Sequence, residues 1–415
     1  MRICLVRPAA PELLDDRLDP PLGLLLLGAA LRTQGFEAQI VDCAGGVAVE
    51  IPDADLYGIS VYTTSYPEAL ALRDAIRRRS DAPVVAGGPH ATALPAETSR
   101  DFDYVCVGEA EITFPEIAPS LAARRRPDPI VVCRPPSNLD ALPLAAYSLV
   151  DLDAYRRVVA GKVARSILSS RGCPFRCRYC ATATLGGSLR LRSPESILEE
   201  LRSLDRISPF EAVRFVDDNF LIRRRTFGEL MAGLARLGRP FRIYCRASDL
   251  SVTRCQALVE AGCRMVACGV ESGSARMHSL MGTRKDVRAM IQGLRSARRA
   301  GLAIRIGLIV GYPGETWETV CESIENLRRM AFDSYNLYNF VPFPGTDPYR
   351  RPERYGITWL SANWKDYFVL AGVNEASCAF EHRDLSRDTL ARMRHFMIER
   401  LDQISRPALE DVENR

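Results

Sequence analysis

The sequence predicts an α/β protein: a Rossmann-like parallel-sheet domain over residues 1–125, a linker over 126–160, a partial (β/α)6 barrel of the TIM type over 161–348, and a small helical C-terminal cap over 349–415. Two observations carry this. Short apolar runs alternate with amphipathic stretches along the first 120 residues, the pattern of βαβ units around a parallel sheet. Six further strand-like runs then recur at helical intervals, a barrel pattern short of the usual eight. The 415 residues, 47% hydrophobic and 26% charged, are ample for two or three cores at about 100–200 residues per domain.

The first domain reads in order. Ile3–Val6 is a strand, and Leu22–Thr33 is an apolar helix opened by Pro20-Pro21 and closed near Gly35. Ala38–Val41, Leu56–Val61, Val84–Ala86 and Tyr104–Val107 are further strands, with helices over Pro67–Arg79 and from Glu111. The stretch between Asp42 and Leu56 is near the lower limit for a crossover with its helix, about 10–12 residues. The second helix is therefore short or missing, and one sheet face is less covered. Parallel sheets take ligands at the carboxyl ends of their strands. There the chain sets Thr63 and Thr64, then Gly87, Gly88, His90 and Thr92, then Gly108, Glu109 and Glu111. Glycines let a backbone approach a ligand closely. His90 reads either as a loop hydrogen-bonder or as a pocket residue, and not as a metal ligand. No GxGxxG follows the first strand, so the usual dinucleotide fold is unsupported.

Prolines and arginines without a period mark the linker. The barrel strands are Ser166–Ser169, Val213–Val216, Ile243–Arg246, Met265–Val270, Ile304–Val310 and Tyr335–Val341, separated by helical stretches. Trp359, Trp364, Tyr367 and Phe368 follow, as plain packing or as closure of the barrel's open side, then a helix over Ser386–Ile404.

Composition excludes several classes. A formal charge of +4 over this length does not imply a nucleic-acid partner. Three lysines among 55 basic residues read as compositional bias, and the arginine runs as solvated faces. No secretory segment is visible, and the longest apolar run, Leu22–Leu31, is too short to span a membrane. A cytoplasmic location without membrane attachment is expected, where the 13 cysteines stay largely reduced.

The strongest signal follows the first barrel strand: Cys173, Cys177 and Cys180, spaced CxxxCxxC on a Gly-, Pro- and Arg-rich loop. Three thiolates within eight residues can wrap one iron–sulfur cluster and leave one iron open. A structural zinc site wants a second ligand pair, which is absent from the spacing. A disulfide would leave one thiol over, and three core cysteines on such a loop would be odd packing. Further polar motifs fall at the later strand ends: Asp217-Asp218, Arg246, Gly269-Val-Glu271-Ser272-Gly273-Ser274 and Gly307 through Gly311 to Thr316. Each alone could be turn chemistry, a helix cap or a structural arginine.

Together, over about residues 160–350, these motifs resemble the radical SAM superfamily. The resemblance implies a site-differentiated 4Fe-4S cluster on Cys173, Cys177 and Cys180 that cleaves S-adenosylmethionine (SAM) reductively, with electrons from an external flavodoxin- or ferredoxin-type donor. It implies SAM contacts from Tyr179, Asp217, Asp218, Arg246, Glu271, Ser272, Gly273 and Gly311, with Arg246 suited by its planar fork to the SAM carboxylate. Lys285 reads as a solvated lysine at a helix start, with a substrate or SAM contact as the alternative. Residues 1–120, through PLGLLLLGAALRTQGFEAQIVD, DLYGISVYTT, VVAGGPHATALP and VCVGEAEITF, resemble the cobalamin-binding domain fused ahead of many such enzymes. That resemblance implies a cobalamin site on the strand-end residues named above. No DxHxxG follows the first strand, so no histidine is offered as an axial ligand.

Of the other ten cysteines, Cys245, Cys268 and Cys378 could bind a thiophilic substrate. Buried packing is the default for each. The expected function is cobalamin-dependent methylation of an unactivated carbon in a small molecule. The alternatives are a cobalamin-assisted rearrangement or cyclisation, or an empty cobalamin domain with 3-amino-3-carboxypropyl transfer from SAM to an acceptor such as arsenite. A non-catalytic sensor with a structural cluster is the reading from another class.

Overall fold

The computed structural model describes residues 1–13, 15–46, 49–369 and 379–405. Cys378 lies outside them. The first sheet comprises β1 (Arg2–Arg7), β2 (Glu37–Asp42), β3 (Leu56–Ser60), β4 (Val84–Gly87), β5 (Tyr104–Val107) and β6 (Ile130–Val132). All are parallel, in the order β2-β1-β3-β4-β5-β6. The reversal of strand order falls between β1 and β3, the switch point at which doubly wound sheets bind ligands. Helices α1 (Leu22–Thr33), α2 (Tyr66–Arg77) and α3 (Thr113–Ala122) pack on its faces. Between β2 and β3 the described residues contain only a 3-10 turn, Ala44–Gly46. Ile51, α2 and Trp364 from the C-terminal region pack on that face.

Helix α1 is apolar all round because both sides are buried. Leu24 and Leu31 face the first sheet, while Leu25 joins the second core with Ala145, Tyr147 and Leu152. Burying one such leucine stabilises by about 1.5–3 kcal/mol. Gly28 permits the close approach, since a Cβ there would lie 2.6 Å from Leu149 Cδ1.

The second sheet holds β7 (Val158–Val159), β8 (Lys162–Ile167), β11 (Ala212–Phe215), β12 (Phe241–Arg246), β13 (Cys263–Glu271), β14 (Ala303–Val310) and β15 (Ser334–Asn339). Between β8 and β11 a small antiparallel pair forms from β9 (Ser170–Arg171) and β10 (Arg190–Leu191). From β8 to β15 the large sheet is parallel, with β7 antiparallel at its edge. Outer helices α4 (Pro194–Ile207), α5 (Phe227–Leu237), α6 (Val252–Glu260), α7 (Ala275–Met281), α8 (Val287–Arg299) and α9 (Trp317–Arg328) connect these strands. Val213, Phe215, Ile243, Val266, Ile304 and Ile306 are buried in the core they share with those helices.

Three expectations change. Ile130–Val132, placed in the linker, is the sixth strand of the first sheet, which therefore continues past residue 125. The rest of the linker is packed: Tyr147 donates a buried hydrogen bond to Glu200 at 2.7 Å, and Tyr155 bonds Asp42. In the C-terminal region, β16 (Ile357–Leu360) and β17 (Phe380–His382) form an antiparallel hairpin, and α10 (Arg387–Ile404) lies on the barrel wall against α9, β14 and β15. Among the described residues no helix is long and apolar enough to cross a membrane.

Candidate functional site

The cysteine loop leaves β9 through Gly172. Its φ is +79°, and a Cβ there would meet the Ser188 carbonyl at 2.7 Å, so glycine is required. Arg178 ties the loop to α7, its backbone N–H donating to Met281 O at 2.9 Å and Nη1 to Leu280 O at 3.0 Å. Cys173, Cys177 and Cys180 are half-buried free thiols. Burial pushes Cys173 and Cys177 above the ordinary thiol range, with Lys285 partly offsetting this at Cys177. Binding a metal centre must therefore expel their protons, which makes assembly pH-dependent. Among the described residues no three His, Cys, Asp or Glu side chains converge as a single ion needs. A four-iron cube takes one thiolate per iron, so the soft three-thiol donor set fits it without such convergence.

Four other predicted side chains gather against this loop, counting Lys285. The Lys285 side chain is 5% exposed; its Nζ pairs with Glu271 and donates to Gly269 O at 2.7 Å. The solvated reading of Lys285 is thus replaced by a buried ion pair. Glu271 ends β13 beyond a register shift and has φ +61°, a strained conformation for a residue with a side chain. Tyr179 is half-buried beside Glu271 and the thiols, and desolvation drives its phenol well up. The Arg246 guanidinium lies 3.7 Å over the Phe175 ring and donates to Thr283 O at 2.9 Å.

Other predicted residues are engaged in holding the strand ends. Asp217 is fully buried and accepts from Ser169 Oγ at 2.8 Å and from Ser170 Oγ, tying β11 to the start of the loop; burial raises its carboxyl. Asp218 is exposed and accepts from Thr182 at 3.3 Å. Ser272 Oγ meets Ser323 Oγ at 2.8 Å, and Gly273 N–H donates to the same Ser323 at 3.2 Å, docking the turn on α9. The Gly311 N–H donates to Glu315, a buried carboxyl that desolvation pushes up to about 7.

At the carboxyl edge of the first sheet lies a cavity of about 260 Å³, walled by Leu5, Leu24, Gly58, Val85, Cys106 and Phe114. Gly87, Gly88, Gly108, Glu109 and Glu111 stand at its strand-end side, with Leu168 and Arg171 contributed from the barrel. An apolar slot at the switch point, with an open face at Gly87 where a Cβ would meet nothing within 4 Å, fits the insertion of a bulky organic cofactor. The two glutamates also hold the barrel: Arg171 bonds Glu109 at 2.6 Å and Glu111 at 2.7 Å, and Arg190 pairs with Glu109. Thr92 Oγ1 accepts from the Gly108 N–H at 3.0 Å. Thr63, Thr64, Thr92 and His90 do not line the cavity. His90 is 0% exposed, shares a 3.3 Å contact with Thr63, and lies between Tyr66 and Trp364 at 4.4 and 4.8 Å. Burial holds its imidazole down at about 4, so it is neutral near pH 7.

Cys245 and Cys268, expected near the active face, are register neighbours on β12 and β13 with sulfurs 3.6 Å apart, buried in the outer core. Sequence reasoning missed Asp19. Arg157 at 2.6 Å, Arg214 and Ser166 outweigh its burial and hold it at about 2, joining the loop after β1 to the barrel. No local pattern announces such a residue.

Residues 167–327 match the radical SAM superfamily and residues 19–118 the B12 binding domain. An uncharacterised methyltransferase of Pyrococcus horikoshii is 26% identical, covering 98% of this chain and 91% of its own. Hopanoid C-2 methylase of Rhodopseudomonas palustris is 29% identical over 74% of this chain and 59% of its own. The solved structure of the radical SAM methyltransferase TsrM from Kitasatospora setae, with cobalamin and a [4Fe-4S] cluster bound, superposes with a TM-score of 0.71 at 20% identity, over 94% of this chain and 84% of that one. The last likeness is one of fold.

Proposed function

We propose that this chain, a radical SAM enzyme with a B12-binding domain ahead of its barrel, methylates an unactivated carbon of a small molecule in a cobalamin-dependent reaction. The observation that carries this is the clamp of Arg171 and Arg190 onto Glu109 and Glu111. It fixes the base of the cysteine loop at the edge of the apolar cavity, so that the radical site and the methyl carrier would address one substrate. The methylase names of the relatives support the same class.

When bound, the cluster would supply one-electron cleavage of SAM and the cobalamin a transferable methyl group. Cys173, Cys177 and Cys180 would hold the cluster. Lys285 pairs with Glu271 and holds it at the strand end, where the pair would orient the amino and carboxylate groups of SAM. Arg246 would supply a guanidinium for the carboxylate, and Tyr179 an aromatic wall. Leu5, Leu24 and Phe114 give the cavity beside them an apolar wall. The electrons would come from a flavodoxin- or ferredoxin-type protein.

The test is anaerobic reconstitution with iron, sulfide and hydroxocobalamin. About four irons and one cobalamin per chain are expected, with iron lost in the Cys173→Ala/Cys177→Ala/Cys180→Ala variant. Protein that binds iron and cleaves SAM but retains no cobalamin overturns methyl transfer and leaves 3-amino-3-carboxypropyl transfer as the reading to pursue.

A further inference from the structure

A second large cavity borders the cysteine loop, with no residue of the first sheet in its lining. It is an open groove of about 1210 Å³ between that loop, α7, α8 and α9. Five arginines line it: Arg176 and Arg178 from the loop itself, Arg284 and Arg288 around the start of α8, and Arg329 at the end of α9. All five are exposed. The two carboxylates on its wall are already engaged. Asp286 accepts the Arg288 and Ala289 N–H groups as a helix cap, and Glu322 accepts Ser274 Oγ at 2.6 Å. Among the described residues none of the five arginines has a carboxylate within ion-pair distance. In a chain of formal charge +4 this is a strong local concentration of one sign. The groove also holds Phe175, Val287 and Ile291, so it combines arginines with apolar and aromatic surface, as protein interfaces do.

We infer that this groove is the docking surface for an acidic one-electron carrier protein of the flavodoxin type. The inference rests on the radical SAM reading and adds where the electron enters. Two features favour a redox partner over other anions. Arg176 and Arg178 alternate with Cys177 and Cys180, so a partner held by them sits directly over the cluster ligands. Lys285, which also lines the groove, is tied back to Glu271, and the Arg171–Glu109/Glu111 clamp occupies the loop's side toward the first sheet. A cationic surface raises the encounter rate of an anionic partner and specifies its orientation. In the step itself, the flavin hydroquinone of the donor gives one electron and becomes the semiquinone, releasing a proton to solvent, and the cluster goes from the 2+ to the 1+ state.

The experiment uses reconstituted chain and reduced flavodoxin. Bleaching of the cluster's visible absorption is followed by stopped flow, with dithionite as the small-molecule control, and flavodoxin affinity is measured separately by titration. Arg288→Glu/Arg329→Glu lies outside the cysteine loop and the SAM site. It should slow reduction by flavodoxin about tenfold or more and weaken its binding to match. Reduction by dithionite should be unchanged, and the wild-type salt dependence should flatten. Wild-type flavodoxin kinetics in this variant overturn the docking site while leaving the radical SAM reading intact. A wild-type chain that dithionite cannot reduce overturns that reading and the inference with it. Single-stranded RNA bound more tightly than flavodoxin, and lost in the same variant, overturns it in favour of a nucleic-acid surface.

Discussion

Glutamates close strands in both sheets, and they do opposite things. Glu271, at the end of β13, turns back into its own barrel and pairs with Lys285. Glu109 and Glu111, just past β5, reach out of their sheet to Arg171 and Arg190. The first arrangement builds a charged site, and the second builds a seam beside an apolar one. A carboxylate at a strand end is thus no guide to function until its partner is known.

The largest effect should follow from breaking the inward pair. Lys285→Met strands a buried Glu271 and should cost about 3–5 kcal/mol in urea unfolding, with much of it recovered in Lys285→Met/Glu271→Gln. A cost below about 1 kcal/mol would mean that the pair is solvated and the contrast false.

The two regions should also answer pH in opposite directions. His90 in the first region is held at about 4, below its ordinary 6.5. Its contribution is complete above pH 6.5 and is lost as pH falls toward 4, because the unfolded chain takes up the proton first. Glu315 in the barrel is raised from 4.5 to about 7. Its contribution is complete below pH 4.5 and is lost as pH rises toward 7. Each amounts to about 3 kcal/mol at most. Melting temperatures across pH 4–8 should show His90→Phe flattening the acid-side loss relative to wild type and Glu315→Gln flattening the decline toward neutrality. Parallel shifts at all pH values would refute both assignments.

Breaking the outward clamp should cost less. Arg171→Ala leaves Glu111 buried and should lose about 2 kcal/mol, with cobalamin retention falling at unchanged iron content. If iron falls instead, the clamp serves the loop alone. Smallest in stability is Gly87→Val, expected within about 0.5 kcal/mol of wild type because its Cβ meets open space. It should nonetheless reduce cobalamin uptake, measured by absorbance of desalted protein.

Much of this contrast was legible before the fold was seen, but unevenly. Leu22–Thr33 ends where the sequence says, because Pro20-Pro21 and Gly35 are local punctuation. The parallel strands were readable from apolar runs, and the cysteine loop from spacing. Ile130–Val132 was not, since three apolar residues among prolines carry no period. What escaped most was pairing: Lys285 finds Glu271 14 positions away, and Arg171 finds Glu109 62 away. A local pattern carries no record of such partners. Asp217, Ser272 and Gly311 were legible as strand-end residues, yet their polar groups are satisfied within the protein.

Helix α1 carries a consequence for how the chain comes apart. Its opposite sides belong to different cores, with Leu24 and Leu31 in one and Leu25 in the other. Melting either core strips a wall from its neighbour, so calorimetry should show one cooperative transition where two linked domains would give two. A chain cut after residue 125 would carry this helix away with an oily flank exposed, and the barrel left behind would open where Leu25 had sealed it. The two halves are therefore joined by a shared wall more than by a linker.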